Sequence, residues 1–540
     1  MKCLLFAISI FFAVGVHAAE YYCDLTLSND GSGSTNDPWQ WSQAENNTNV
    51  SAGDTVYLRG SGGNVTLSTN IDANGSDNSP VTYQQWPGQT QARFDSMVID
   101  GTGAPHYVFD GINIDAGTGT TWVTAFIESW SGTGGALTFR NCTIWGFRNS
   151  GYSGGDFYPY YLGDTGSTFR NVHTMSFSNT DGLDLTIDNC TFLHGWRILS
   201  LYGMRNGNIM VTNNAFDRAG EDFINCSGGT ENVTISGNIL GQTYGAQAYY
   251  SVHLWAGTAA GTWAGHEGDT VTQDTTNASG FYVGQYNGRI YIIADDESNL
   301  LSVVAPYTWR LDSDPANIYF SVSDDGDNQH CDYFSTEGCD NIRLDANDFV
   351  YQPYSAQAVK FAASANGTMQ NCVIRKWNSG IAAVILENIG TVNIFNNIID
   401  PISNDAHTVR MISGIQLNLA NNILRGAIYQ SGNVTASNNV WTGSAVWSGS
   451  GDLTNQDLSD SPSGNSRYFT DFTNGDYTPY DGSSSPQVDA GSAAYAPDRD
   501  FLGVSRPQGR SDDIGPYEYN TSYGSGGSGN SSGCFINGIK

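Results

Sequence analysis

The sequence predicts an all-β chain, a right-handed parallel β-helix with a small inserted β lobe. Three observations predict it: a recurring Asn motif, strand-like alternation around that motif, and a spacing close to one solenoid coil. The motif reads LTFRNCTI (137–144), LTIDNCTF (185–192), MVTNNAF (210–216), VTISGNIL (233–240), IRLDANDF (342–349), GTMQNCVI (367–374), VNIFNNII (392–399), LNLANNIL (417–424) and VTASNNVW (434–441). Its second Asn or Cys falls at Cys142, Cys190, Asn214, Asn238, Asn347, Cys372, Asn397, Asn422 and Asn439; from Cys190 the steps are 24, 24, 109, 25, 25, 25 and 17. A repeat this short with apolar residues at every second position is one coil of a strand solenoid, because a helical repeat would carry a 3.6-residue rhythm. Equivalent positions on successive coils lie one strand spacing apart, about 4.8 Å, so inward Asn amides can bond in a ladder.

Residues 1–18 have the form of a secretory signal. Lys2 supplies the charge, Leu4 to Val14 the apolar stretch, and Val16-His17-Ala18 a small-residue cleavage site. The stretch is too short to span a bilayer. The expected location is outside a bacterial cell, secreted or surface-attached, with no membrane insertion.

Residues 19–100 form the entry region and first coils. Residues 101–240 and 330–466 carry coils, and 241–329 an insert. The 48-residue step from Cys142 to Cys190 holds GYSGGDFYPYYLGDTGS (151–167), read as an extra coil or a long loop. The 109-residue step from Asn238 to Asn347 holds strand, turn and Asn-Gly signals in GDTVTQDTTNASGFYVGQYNGRIYIIAD (268–295), which predict a small barrel or hairpin lobe. Insertions of this kind map to one face of a solenoid, often the binding face. Residues 467–523 break the period and close the solenoid. Residues 524–540 are a Gly/Ser linker and a tail with Cys534, read equally as an attachment signal or a loose terminus.

Both ends carry a resemblance. YYCDLTLSNDGSGSTNDPWQ…GDTVYL at the start, and YFTDFTNGDY…SSPQVDAGSAA…RPQGRSDDIGPYEY at the close, resemble secreted bacterial right-handed parallel β-helix proteins of the pectate-lyase-like superfamily. The resemblance implies a short capping helix at the N-terminal end, a polysaccharide as partner, and lyase or hydrolase activity. It does not name a reaction. Asn179-Thr180-Asp181 is similar to the N-T-D of polygalacturonase-type hydrolases. The G-H-G and R-I-K motifs that accompany it there are missing, so the match is set aside. The R-x-P-x-x-R of classical pectate lyases is also missing.

Composition narrows the partners. The formal charge is −31, with Lys+Arg 22 against Asp+Glu 53, which excludes nucleic acid and anionic membranes as natural partners. Lysine occurs only at Lys2, Lys360, Lys376 and Lys540. An acidic protein that binds an acidic polymer needs a local basic cluster or bound cations. A monomer is expected. Cys142, Cys190 and Cys372 stand on the ladder as small buried residues, and Cys331 and Cys339 could pair.

The strongest candidate site joins AGEDFINCSGG (219–229) to DNQHCDYFSTEG (327–338). Asp222 stands 16 residues before Asn238, and Asp332 stands 15 before Asn347. With the insert looped out, these carboxylates stack about 5 Å apart. Such a pair shares a proton, binds a cation or divides acid and nucleophile roles; turn capping by each Asp is the structural alternative. The catalytic candidates are Asp222, His330, Asp332 and Lys360, with Lys360 or His330 as the base of a β-elimination. Glu221, Asp222 and Asp332 are the candidate ligands of a Ca²⁺ ion. Lys360 aligns with Ser335, three residues past Asp332, which predicts that it points to the opposite face. Tyr160, Trp255, Trp263, Trp309 and Tyr354 are candidate sugar-stacking rings. Function follows as extracellular polysaccharide cleavage, by a lyase acting on a uronate polymer. The alternatives are a glycoside hydrolase using the paired carboxylates and a non-catalytic glycan-binding or adhesin β-helix.

Overall fold

A computed structural model describes residues 18–45, 49–68, 79–100, 106–115, 125–127, 134–145, 173–241, 252–263, 266, 269–275, 277–286, 289–294, 307–324, 331–350, 355–364, 366–377, 382–401, 407–429, 432–442, 449–462, 467–480 and 484–519. Residues 1–17, in the stretch expected to be a secretory signal, and the tail lie outside them.

The chain is a right-handed parallel β-helix of three faces. The first face is a 13-stranded parallel sheet that runs from Glu20–Asp24 through Asp184–Asp188, Glu231–Ser236 and Asp340–Asp345 to Gly432–Ser437. A 19-stranded sheet folds around a corner to supply the other two. The second face holds short strands such as Thr143–Trp145 and Asp348–Val350. The third holds Cys331–Glu337, Ser355–Ala362, Ala382–Glu387 and His407–Ile412. Thr191–Tyr202 and Ala215–Ser227 cross the corner and belong to both.

The Asn motif builds the turn between the first and second faces. Its first residue takes the left-handed conformation, with φ of 57° at Asn213, 55° at Asn396 and 58° at Asn421. Its second residue points inward and forms the ladder. Asn214 donates its backbone N–H and its Nδ2 to Asn238 Oδ1, at 2.9 and 3.0 Å. Asn238 does the same to Asn347 Oδ1, at 3.0 and 2.9 Å. The series resumes from Asn397 to Asn422 and from Asn422 to Asn439. These amides are fully buried and bonded, which is the condition for placing polar groups in an apolar core.

Both ends of the described core are covered by other parts of the chain. The short helix Trp41–Ala44 lies over the N-terminal end of the core. Ala44 is buried, Tyr83 Oη donates to the Ala44 carbonyl at 3.1 Å, and the Trp41 ring meets Phe94 at 4.9 Å. Residues 449–519 do more than cap the other end. They lie along the second face, where Tyr468, Phe469, Tyr477, Ile514 and Tyr517 cover Val373, Ile398, Ile423 and Val440. Asn371, Asn396, Asn421 and Asn438 donate Nδ2 to the carbonyls of Arg499, Asp513, Ser492 and Ala490, at 2.9, 3.1, 2.9 and 2.9 Å.

No further strand intervenes in the first two faces across the 48-residue step, and the segment 151–167 itself lies outside the described residues. Ala136–Arg140 pairs directly with Asp184–Asp188, and Thr143–Trp145 with residues 191–193. The insert is a closed antiparallel barrel of six strands: Val252–Ala260, Thr270–Gln273, Ser279–Tyr286, Arg289–Ala294, Tyr307–Leu311 and Tyr319–Asp324. Trp263, Val271, Tyr282, Ile290, Trp309 and Phe320 form its own core. A Cys331–Cys339 disulfide does not form. Cys339 is a free, buried thiol, and the seven-residue strand Cys331–Glu337 separates the two along its length.

Candidate functional site

The insert leaves the solenoid after Ile239–Leu240 and returns at Cys331–Glu337 without disturbing the stacking. Ile239 still pairs with Asp348, and Asp222 pairs with Asp332. The expected register of the two carboxylates is therefore present.

A four-residue unit repeats along the third face. It reads Arg197-Ile198-Leu199-Ser200, Asp222-Phe223-Ile224-Asn225, Asp332-Tyr333-Phe334-Ser335, Gln357-Ala358-Val359-Lys360 and His407-Thr408-Val409-Arg410. The middle two residues of each unit are fully buried. With two successive residues turned inward, the first and fourth both lean outward, and the usual alternation is broken. Register shifts between Gly195 and Arg197, and between Cys331 and Asp332, mark the same irregularity.

This corrects the expectation for Lys360. It does align with Ser335, but it faces the same way as Asp332. A cavity of about 320 Å³ is lined by Arg197, Asp222, Asp332, Lys360, Glu337 and Glu387, with Asn225 and Ser335 in its wall.

The two carboxylates differ in their surroundings. Asp222 Oδ2 lies 3.2 Å from Arg197 Nε, and both Asp222 and Asp332 are nearly fully buried. Asn225 Nδ2 donates to Ser335 Oγ at 2.8 Å, which fixes that wall. Gln357, in register with Asp332, is buried with neither amide atom hydrogen-bonded among the described residues. Cys226 lies beneath. Burial, then Cys339 and Asp222, push its thiol well above the usual range, so it packs and does not act as a nucleophile. Lys360 is half-buried and has no ion-pair or hydrogen-bond partner among the described residues.

The remaining expected residues separate. His330, Tyr160 and Tyr354 lie outside the described residues. Glu221 is in the strand Ala215–Ser227 and Trp255 in the barrel strand Val252–Ala260. Trp263 and Trp309 are corrected: they are 3% and 0% exposed, because the barrel uses them as its core, and no sugar reaches them there. Of the expected calcium ligands, Asp222 and Asp332 stand in register, and Asp222 faces Arg197. No three His, Cys, Asp or Glu side chains come together among the described residues. Arg197, Asn225 and Ser335 were missed by sequence reasoning. Aligning the four-residue units 15 to 17 residues before the ladder Asn or Cys would have found them.

No family model matches the chain, and no curated protein matches it. Among solved structures it is similar to a GH136 lacto-N-biosidase from Eubacterium ramulus, at 9% identity over 78% of this chain and 67% of that one, TM-score 0.37. It is similar to a mannuronic acid specific polysaccharide family 6 lyase from human gut microbiota, at 10% identity over 78% of this chain and 86% of that one, TM-score 0.32. A rhamnogalacturonan lyase matches at 10% identity over 78% of this chain and 87% of that one, TM-score 0.25. Likenesses this distant decide neither reaction nor substrate.

Proposed function

We propose that this chain is an exported enzyme that degrades an acidic, uronate-containing polysaccharide by β-elimination. The observation that carries the reading is Lys360: an ammonium without a bonded partner among the described residues, set in one cavity with half-buried Arg197 and the buried Asp222–Asp332 pair. β-Elimination needs the uronate carboxylate neutralised so that the C5 proton becomes acidic, and a base to take that proton. Lys360 supplies the cation. Asp332 takes the C5 proton; the C5–H pair forms the C4=C5 bond, the C4–O bond breaks, and the leaving oxygen is protonated from solvent. Arg197 holds Asp222 as a fixed carboxylate beside it.

A second reading has its own support. Asp222 and Asp332 sit in register on adjacent strands, a separation suited to paired-carboxylate hydrolysis.

The test uses the mature chain against alginate, pectate, glycosaminoglycans, ulvan and neutral algal glycans, with Ca²⁺ or EDTA. Near-ultraviolet absorbance reports the new double bond, and reducing ends report all cleavage. Absorbance on an acidic polymer is expected, and Lys360→Ala and Asp332→Asn should each lower kcat/KM by about 100-fold or more. Reducing ends without absorbance would replace the lyase by the hydrolase. Binding without product would leave a glycan-binding surface protein, and loss of activity in EDTA would establish a calcium site.

A further inference from the structure

Two cations on the third face stand out against the charge of this chain. Most described arginines hold a carboxylate, as Arg59 holds Asp24, Arg140 holds Asp110, and Arg425 holds Asp400. Acids outnumber bases 53 to 22, yet some described cations are left without one. Lys360 is such a cation. Arg410 is another: it has no ion pair among the described residues, and its guanidinium lies 5.8 Å over the Tyr429 ring.

These two belong to one column. Lys360 pairs with Ile385, Ile385 with Arg410, and Arg410 with Tyr429. Each is the outward fourth position of its unit, so Arg410 stands two strand spacings, about 10 Å, from Lys360 along the helix axis. Tyr429 is 54% exposed, although it is a large ring on a sheet face. His407 lies against its ring at 5.4 Å, and His407 Nδ1 is buried with no hydrogen bond among the described residues. An exposed ring with a guanidinium over it and a tilted imidazole beside it is a platform for a sugar's CH face, with a charged fork next to it for an anionic substituent.

We propose that His407, Arg410 and Tyr429 form a distal subsite that binds a carboxylate-bearing sugar of the same chain whose scissile unit lies at Lys360. The proposal rests on the reading of Lys360 and Asp332 as a cleavage site. It deepens that reading by fixing the polymer's direction along the helix axis and its anionic class. Arg410 acts on affinity, since it lies too far from Asp332 to touch the reacting atoms.

The experiment compares the mature chain with Arg410→Ala, Arg410→Lys and Tyr429→Ala, on alginate and pectate and on the same polymers with their carboxyls reduced to alcohols. Both binding, by affinity electrophoresis, and turnover are read. Arg410→Ala should weaken binding of the acidic polymer and raise its KM by about tenfold, the size of one lost charge-assisted contact, with kcat unchanged. Arg410→Lys should restore part of it, and the reduced polymers should show no difference. Tyr429→Ala should weaken binding to acidic and reduced polymers alike. Equal binding by Arg410→Ala and the parent would overturn the proposal, whatever the turnover. Arg410-dependent binding without turnover would keep the subsite and sink the cleavage reading. Absence of binding to any acidic polymer would overturn both.

Discussion

One residue of the Asn column breaks its own rule. The turn between the first and second faces needs a residue in the left-handed region, and Asn141, Asn189, Asn213, Asn371, Asn396, Asn421 and Asn438 fill it at φ between 52° and 58°. Gly237 fills it at 67° without a side chain to strain, but at residue 346 the chain places alanine at 52°. Alanine there sets its Cβ against the following carbonyl, at a cost of about 1 kcal/mol or more, whereas Asn offsets the cost by local hydrogen bonding. Ala346→Asn should therefore raise stability by about 0.5–1 kcal/mol, seen as a higher denaturant midpoint at unchanged slope. Ala346→Gly should gain in the same direction. A midpoint that falls in both variants would show that something other than backbone strain governs this turn. The same column shows what a single sequence can reveal. Asn214 and its ladder partners were legible because stacking repeats the same side chain at the same step. Arg410 was not, because nothing in its own neighbourhood sets it apart until Lys360 and Tyr429 are known to share its column.

Elements made part of the site legible and hid the rest. Asp222 and Asp332 could be paired in advance because each precedes its ladder Asn by nearly the same distance. The facing of Lys360 could not, because alternation fails where Phe223 and Ile224, or Tyr333 and Phe334, are both buried. Trp263 and Trp309 misled because an inserted lobe that closes into a barrel needs its own core, and large rings fill it. The closing segment offers a test at this scale. Arg506 and Glu518 meet at 2.8 Å, each 1% exposed. Burial raises the Glu518 carboxyl to about 7, with the Asp513 charge adding to it, and burial raises Asp513 to about 6. Both ionise near about 4 in an unfolded chain. The folded segment thus prefers the protonated forms. Its extra stability is complete below about pH 4 and is lost as pH rises through 6 to 7. Hydrogen exchange of residues 484–519, corrected for intrinsic rates, should show stronger protection at pH 5 than at pH 8. Glu518→Gln should flatten that difference, and equal protection in the parent would refute the assignment.

At the scale of the molecule, charge sets how an acidic polymer could reach this groove. A net charge of −31 repels a polyanion at long range, while Lys360 and Arg410 attract it only at contact. The two effects have different reach, so salt separates them. The Debye length falls from about 30 Å at 0.01 M to about 8 Å at 0.15 M and about 3 Å at 1 M. Moderate salt therefore removes the long-range repulsion first and leaves the contacts, and high salt weakens both. The expected dependence of kcat/KM on NaCl is a rise from low salt to a maximum near physiological strength, followed by a decline. A carboxyl-reduced polymer, which has no acidic C5 proton to lose, is followed by binding and should show a flat profile, since it feels neither effect. Arg410→Ala should keep the rising limb and lose part of the falling one, because the rise belongs to the whole surface and the fall to the groove. A monotonic decline for the parent would mean that the basic column outweighs the net charge even at a distance, as when the acidic residues lie mostly on faces turned away from the approaching chain.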